Sequence, residues 1–219
     1  MIIGLVGFIG SGKDTAAEYL IEKYGFQRDS FAAPLKDAVA SVFGWDREML
    51  EGRTDESRAW RECADPWWSQ RLGREVTPRH TLQLWGTEVA RQAYHDDIWI
   101  ASLEHRVRNT TDNVVITDCR FPNEIAAIQS MGGRVIRINR GNIPDWYQEA
   151  VDYLDFPAGK PPPNLPHISE WAWMRSNWDA SIHNNGDIAQ LHQQVDMMID
   201  ILGIITYNDE VNASNKEPK

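Results

Sequence analysis

Hydrophobic positions in this chain fall into short unbroken runs separated by stretches in which apolar residues recur every three or four positions. The first pattern suits strands buried on both faces and the second suits amphipathic helices. Ile2-Ile3-Gly4-Leu5-Val6 opens the series and leads into the helical stretch Ala16-Ala17-Glu18-Tyr19-Leu20-Ile21. A short second strand is expected from Phe26 to Phe31, followed by a helix to about Phe43 with Pro34 as its first-turn proline. Thr77-Pro78 reads as an N-cap and first-position proline, and Leu82, Trp85 and Val89 then recur at helical spacing. A further helix is expected from Asp96-Asp97, with Trp99, Leu103 and Val107 on one stripe. His95-Asp96-Asp97 suggests capping rather than a metal site, since three consecutive residues cannot all face one ion on a helix.

The second half repeats the alternation. Asn113 to Asp118 predicts a buried strand ending in a carboxylate, and residues 119–124 open a helix from Ile125 to Met131 that Gly132-Gly133 stops. Arg134 to Asn139 predicts the next strand, with Arg140 at its C-terminal end. Ala180-Ser181-Ile182-His183 and the turn Asn184-Asn185-Gly186-Asp187 lead into a helix whose apolar face is Ile188, Leu191, Val195, Met198 and Leu202. Strands alternating with helices predict a three-layer α/β fold with a mostly parallel central sheet flanked by helices.

Two stretches resist this reading. Residues 44–76 are charged and irregular, with Arg53, Arg58, Arg61, Arg71 and Arg74 among acidic residues. Residues 141–180 hold six of the eleven prolines and four of the ten tryptophans, too long and too biased for a simple connection. Those tryptophans either line a lid or cover the core. The polar tail from about Asn208 is expected to be mobile.

The strongest local signal is Gly7-Phe8-Ile9-Gly10-Ser11-Gly12-Lys13-Asp14-Thr15, set between the first strand and the first helix. That context defines a phosphate-binding P-loop: glycines let backbone N–H groups converge on a polyphosphate, the helix N-terminus adds partial positive charge, and Lys13 reaches the β- and γ-phosphates. Asp14 stands where a hydroxyl residue usually follows the lysine. An anion beside triphosphate needs a cation between them, so Asp14 is expected to hold Mg²⁺, directly or through water, with Thr15 on a phosphate oxygen.

Composition narrows the classes further. The net charge of −10 over 219 residues argues against a surface built for nucleic acid, so any phosphate chemistry must come from local Lys and Arg. Two cysteines, Cys63 and Cys119, give neither a disulfide framework nor metal spacing, and a cytoplasmic location is expected. No run approaches the ~18 apolar residues of a membrane span.

Several segments in order resemble the nucleoside monophosphate kinase branch of P-loop proteins, and most closely the deoxynucleoside monophosphate kinases of bacteriophages. They are Gly12-Lys13-Asp14-Thr15, residues 30–36, Gln83-Leu84-Trp85-Gly86-Thr87-Glu88 with Arg91, residues 118–124, His167-Ile168-Ser169-Glu170 and Asn184-Asn185-Gly186-Asp187. The likeness implies a single P-loop kinase domain over 1–203; residues 44–76, which match no family segment, are expected to be an acceptor-side insertion, 141–180 a lid or loop insertion, and 204–219 the end of the core and a flexible polar tail.

By that resemblance Gly10, Ser11, Gly12, Lys13, Asp14 and Thr15 bind the ATP phosphates, and Asp118, Arg120 and Arg140 act with Lys13 on the transferred phosphoryl group. Lys36, Arg79, Trp85, Thr87, Arg91 and Glu124 serve the acceptor monophosphate, and Asn184 and Gly186 form the turn against the donor base. The implied reaction is ATP + dNMP → ADP + dNDP with Mg²⁺. No stable nucleic acid or membrane partner is implied, and a homodimer is left open because such kinases are often dimers. Two rivals stay open at this point. One is a P-loop kinase for a phosphomevalonate-like or dephospho-coenzyme-A-like acceptor. The other is a regulatory P-loop NTPase, although Thr117-Asp118-Cys119 offers only one carboxylate and no base-reading Asn-Lys-x-Asp is present.

Overall fold

A computed structural model describes residues 1–203; the expected polar tail lies outside the described residues. The chain divides into two compact units, Met1–Ser30 together with the chain from Asn109 onward, and Phe31–Arg108.

The first unit is built on five parallel strands, β1 (Ile2–Val6), β2 (Gln27–Asp29), β3 (Val114–Ile116), β4 (Arg134–Asn139) and β5 (Ala180–His183). Their order is β2-β3-β1-β4-β5, with Ile3 of β1 opposite Val115 on one side and Arg134 on the other. The chain order reverses around β1, so the crevice beyond its C-terminal end is the place where an open α/β sheet binds ligands. The P-loop follows β1 directly and leads into α1 (Lys13–Tyr24).

Ile3, Leu5, Val115, Ile136, Ile138 and Ile182 turn one face of the sheet toward α1 and α10 (which spans Ile188–Ile201), forming the unit's main core. On α10 the buried positions are Leu191, Val195, Met198 and Ile199. Ile188, expected on that face, is 63% exposed because it is the helix's first residue, one turn before the core begins. Helix α8 (Pro122–Ser130) lies between β3 and β4 in the chain and ends ahead of Gly132 as expected.

Residues 141–180 are more ordered than a long loop would be. They contain α9 (Tyr147–Asp155) and two 3₁₀ turns, Ile168–Glu170 and Ala172–Arg175. Trp171 and Trp173 are among the largest fully buried side chains, each removing roughly 150–250 Å² from water. Their indole N–H groups donate to the carbonyls of Pro166 and Glu170, so neither is buried without a partner.

The second unit is helical: α2 (Ala33–Phe43), α3 (Arg47–Glu51), α4 (Asp55–Glu62), α5 (Pro66–Leu72), α6 (Pro78–Gln83), a π-helical stretch (Leu84–Gln92) and α7 (Ile98–Val107). The irregular stretch 44–76 is therefore three short helices, each with its own side-chain N-cap: Asp46, Thr54 and Asp65. Their core is Leu35, Val39, Trp45, Leu50 and Val76, with Phe43, Trp60, Trp68, Trp85 and Trp99 packed around it. The Asp97 side chain makes no capping bond to α7; instead the Asp97 N–H donates to His95 Nδ1 at 3.1 Å.

Candidate active site

In the P-loop, Gly10 and Gly12 have φ of 77° and 99°, the left-handed region that a side chain would strain. Gly12 is also crowded: a Cβ there would meet Asn184 Nδ2 at 2.3 Å. The loop closes with the Ser11 N–H donating to the Phe8 carbonyl at 3.2 Å. Ser11 is 3% exposed, and its hydroxyl is buried without a hydrogen-bond partner. A buried hydroxyl in a loop of converging amides, with open space in front of Gly10, fits a polyphosphate oxygen.

Lys13 Nζ is folded back onto its own loop, donating to the carbonyls of Gly7 at 2.7 Å and Phe8 at 2.9 Å. Burial, with the Arg120 guanidinium nearby, lowers its ammonium to about 8. Asp14 and Glu170 work in the opposite sense. Lys13 is thus a cation held at a cost, which an incoming polyanion would relieve. Asp14 is 53% exposed and accepts from Arg28 Nη1 at 3.0 Å.

Asp118 and Arg120 follow β3 beyond its C-terminal end, where the fold places functional groups. Arg120 Nη1 donates to Glu170 Oε1 at 2.8 Å and to the Ser169 carbonyl at 3.2 Å. Glu124 is 3% exposed, and its Oε2 accepts the backbone N–H groups of Arg120 at 2.8 Å and Phe121 at 3.1 Å. The structure therefore gives Glu124 a role in fixing the Asp118–Arg120 turn at the start of α8. Burial pushes the Cys119 thiol well up, leaving it an inert packing group between these two residues.

Arg140 is exposed just after β4. Asn184, expected beside the donor base, is 6% exposed, and its Nδ2 donates to the Ser11 carbonyl at 2.9 Å while its N–H donates to Asn139 O. It braces the P-loop from the end of β5. Gly186 lies in the turn ahead of α10, beside Gln190.

The expected acceptor residues Lys36, Arg79, Trp85, Thr87 and Arg91 all belong to the second unit. Arg91 has a side chain only 4% exposed, paired with Asp96 at 2.9 Å, and Thr87 one turn earlier is 6% exposed. Both lie on the π-helical stretch, a rare local geometry that recurs at functional sites. Gly86 within it lets α2 approach closely, since a Cβ there would lie 2.8 Å from Leu35. Arg79 is 3.4 Å from Glu62. Lys36 donates to Glu51 Oε2 at 2.6 Å, and Glu51 also accepts from Arg47. Burial alone would raise the Glu51 carboxyl, but Lys36 and Arg47 hold it down at about 2.

Residues that sequence reasoning misses are Phe8, Arg28, Glu51 and Glu170. Glu170 stands inside a recognised segment, His167-Ile168-Ser169-Glu170, to which the resemblance attaches no role. Phe8 packs against Trp146, Tyr147 and Trp173 at centroid distances of 5.5, 6.2 and 5.0 Å, so the P-loop is gripped by the 141–180 segment.

No family model matches the chain. Among solved structures, a shikimate kinase from Bacteroides thetaiotaomicron is similar with a TM-score of 0.42 and 13% identity, covering 93% of this chain and 99% of that one. So slight a likeness says nothing about substrate or reaction. A protein of Acanthamoeba polyphaga mimivirus, provisionally named a deoxynucleotide monophosphate kinase, is 36% identical over 157 residues, 65% of this chain and 76% of that protein. The deoxynucleoside-5′-monophosphate kinase of Escherichia phage T5 is 30% identical over 174 residues, 57% of this chain and 70% of that protein. A P-loop at the switch point of a parallel sheet and two such relatives lead to one conclusion: the chain belongs to the deoxynucleoside monophosphate kinases.

Proposed function

We propose that the protein transfers the γ-phosphoryl group of ATP to the 5′-monophosphate of a deoxynucleoside, giving ADP and a deoxynucleoside diphosphate. The observation that carries this reading is the P-loop with part-buried Lys13 bonded to the Gly7 and Phe8 carbonyls and held down at about 8, in a chain whose relatives bear that name. The acceptor is a phosphate oxygen already ionised at neutral pH, so no general base is required. The barrier is electrostatic, since two polyanions must meet in line.

In this reading the P-loop amides and the Ser11 hydroxyl cradle the donor phosphates, and Lys13 leaves the Gly7 and Phe8 carbonyls to bridge β- and γ-oxygens. Arg120 and Arg140 stabilise charge on the moving group, and Asp118 acts with them. Arg91 and Arg79 fix the acceptor phosphate, with Lys36, Trp85 and Thr87 around the acceptor. Loss of one such contact costs on the order of 10²–10³ in rate.

Among the described residues no three acidic, His or Cys side chains converge as a metal cage. In this reading Mg²⁺ arrives on the phosphates, where it would supply charge neutralisation, and half-exposed Asp14, paired with Arg28 in the ligand-free protein, would hold it directly or through water. No helix among the described residues is long and apolar enough to cross a membrane. The test is ³¹P NMR of the enzyme with MgATP and an equimolar mixture of the four deoxynucleoside monophosphates. Growth of nucleoside diphosphate resonances at the expense of monophosphate and triphosphate is expected. Release of inorganic phosphate with the monophosphates untouched would overturn the assignment.

A further inference from the structure

Arg120 does not project freely from the end of β3. One of its guanidinium nitrogens is engaged by both the Glu170 carboxylate and the Ser169 carbonyl, fifty and forty-nine residues further along. Glu170 is itself confined: its side chain is 12% exposed, whereas that of Arg120 is 41% exposed. Of this pair the carboxylate is the fixed member and the arginine is the one with room to move.

The reason lies in the turn that carries Glu170. His167 caps the 3₁₀ turn, its Nδ1 accepting the Ser169 N–H at 3.3 Å and lying 2.8 Å from the Ser169 hydroxyl. The Glu170 N–H donates to the His167 carbonyl at 2.9 Å, and the Glu170 carbonyl accepts the Trp173 indole N–H at 3.1 Å. Trp171 and Trp173, just beyond it in the chain, are fully buried. Trp173 also meets Phe8 of the P-loop, ring centroids 5.0 Å apart. Two tryptophans and a capping histidine therefore lock the backbone on both sides of Glu170, and one of those tryptophans references it to the P-loop.

We infer that Glu170 is the positioning residue for Arg120. It acts through the guanidinium without touching either substrate, and the His-x-Ser-Glu turn exists to hold it at a fixed place relative to the P-loop. A planar, forked guanidinium donates in fixed directions, so anchoring one nitrogen on a rigid carboxylate orients the others. Catalytic geometry set to within about half an ångström needs this kind of support. The inference rests on the kinase reading and on the role assigned there to Arg120.

The test is steady-state kinetics, with ATP and a deoxynucleoside monophosphate, on Glu170→Gln, Arg120→Ala, the double variant and Glu170→Asp. Glu170→Gln keeps the size and backbone of the turn but removes the charge. Its kcat is expected to fall about tenfold or more, with KM for ATP within about threefold and the thermal midpoint within a few degrees. The double variant should be no slower than Arg120→Ala alone, because a positioning residue has no effect once its client is gone. Glu170→Asp, which restores charge but withdraws it, should recover part of the lost kcat and serves if the Gln variant does not fold. Unchanged kcat in both Glu170 variants, or losses that multiply in the double variant, would overturn the positioning role. Failure of the unaltered protein to phosphorylate any deoxynucleoside monophosphate would instead overturn the kinase reading, so the two failures are distinguishable.

Discussion

The Asn184 side chain donates a 2.9 Å hydrogen bond to the carbonyl of Ser11, and so ties the C-terminal end of β5 to the P-loop. Its Nδ2 occupies the space that a Cβ on Gly12 would need. The loop's shape is set by both partners: a glycine that makes room and an amide that fills it. Asn184→Ala is expected to leave the sheet intact, lower stability by about 1–3 kcal/mol for the lost buried bond, and raise KM for ATP more than it lowers kcat. Thermal unfolding and ATP titration of the variant check both parts.

Lys13 predicts a proton-linked step. In the ligand-free protein it is bonded to the Gly7 and Phe8 carbonyls and its ammonium titrates at about 8. A triphosphate favours the charged lysine, so its value must rise on binding. Above pH 8 binding should therefore take up a proton, and affinity should fall as pH rises through that value. Calorimetry at pH 8.5 in two buffers of different ionisation enthalpy measures the uptake directly. Lys13→Arg, which stays charged throughout, should show none of it.

Glu51 predicts behaviour in acid. Its carboxyl is held at about 2, against 4.5 for an unperturbed group, by Lys36 and Arg47 despite burial. A depressed carboxylate stabilises the folded state above its unfolded value, and that contribution is lost as pH falls through the folded value. Glu51→Gln should thus be less stable than the unaltered protein by on the order of 3 kcal/mol at pH 6. The gap should narrow between about pH 4.5 and 2. Urea unfolding across that range gives the curve; a gap independent of pH would assign the loss to packing instead.

The parts of this fold that are legible in the sequence are those whose signal is local. β4 runs over the residues expected for it, Arg134–Asn139, because the buried Val135, Ile136 and Ile138 are bounded by Gly132-Gly133 on one side and Arg140 on the other. The P-loop is legible because glycines, a lysine and a following helix must be adjacent in sequence to cradle phosphate. Residues 44–76 are not, since helices of five to eight residues are too short to show a period; their only signal is the set of caps at Asp46, Thr54 and Asp65. The stripe Leu82, Trp85, Val89 fails at its last member, which is 50% exposed. Over the π-helical stretch the turn is wider, and Gly86, Thr87 and Arg91 are buried instead. The candidate site is legible as residue types at strand ends. Its supports, Asn184 to Ser11 and Glu170 to Arg120, join residues far apart in the chain and follow from no local pattern.

The central claim is acceptor-dependent phosphoryl transfer, and a coupled assay of ADP formation measures it most directly. Enzyme and MgATP are combined with each deoxynucleoside monophosphate, with each ribonucleoside monophosphate, and with no acceptor, at equal protein. The account predicts turnover that requires an acceptor and is supported by one or more deoxynucleoside monophosphates. ADP formation at the same rate without any acceptor would contradict it.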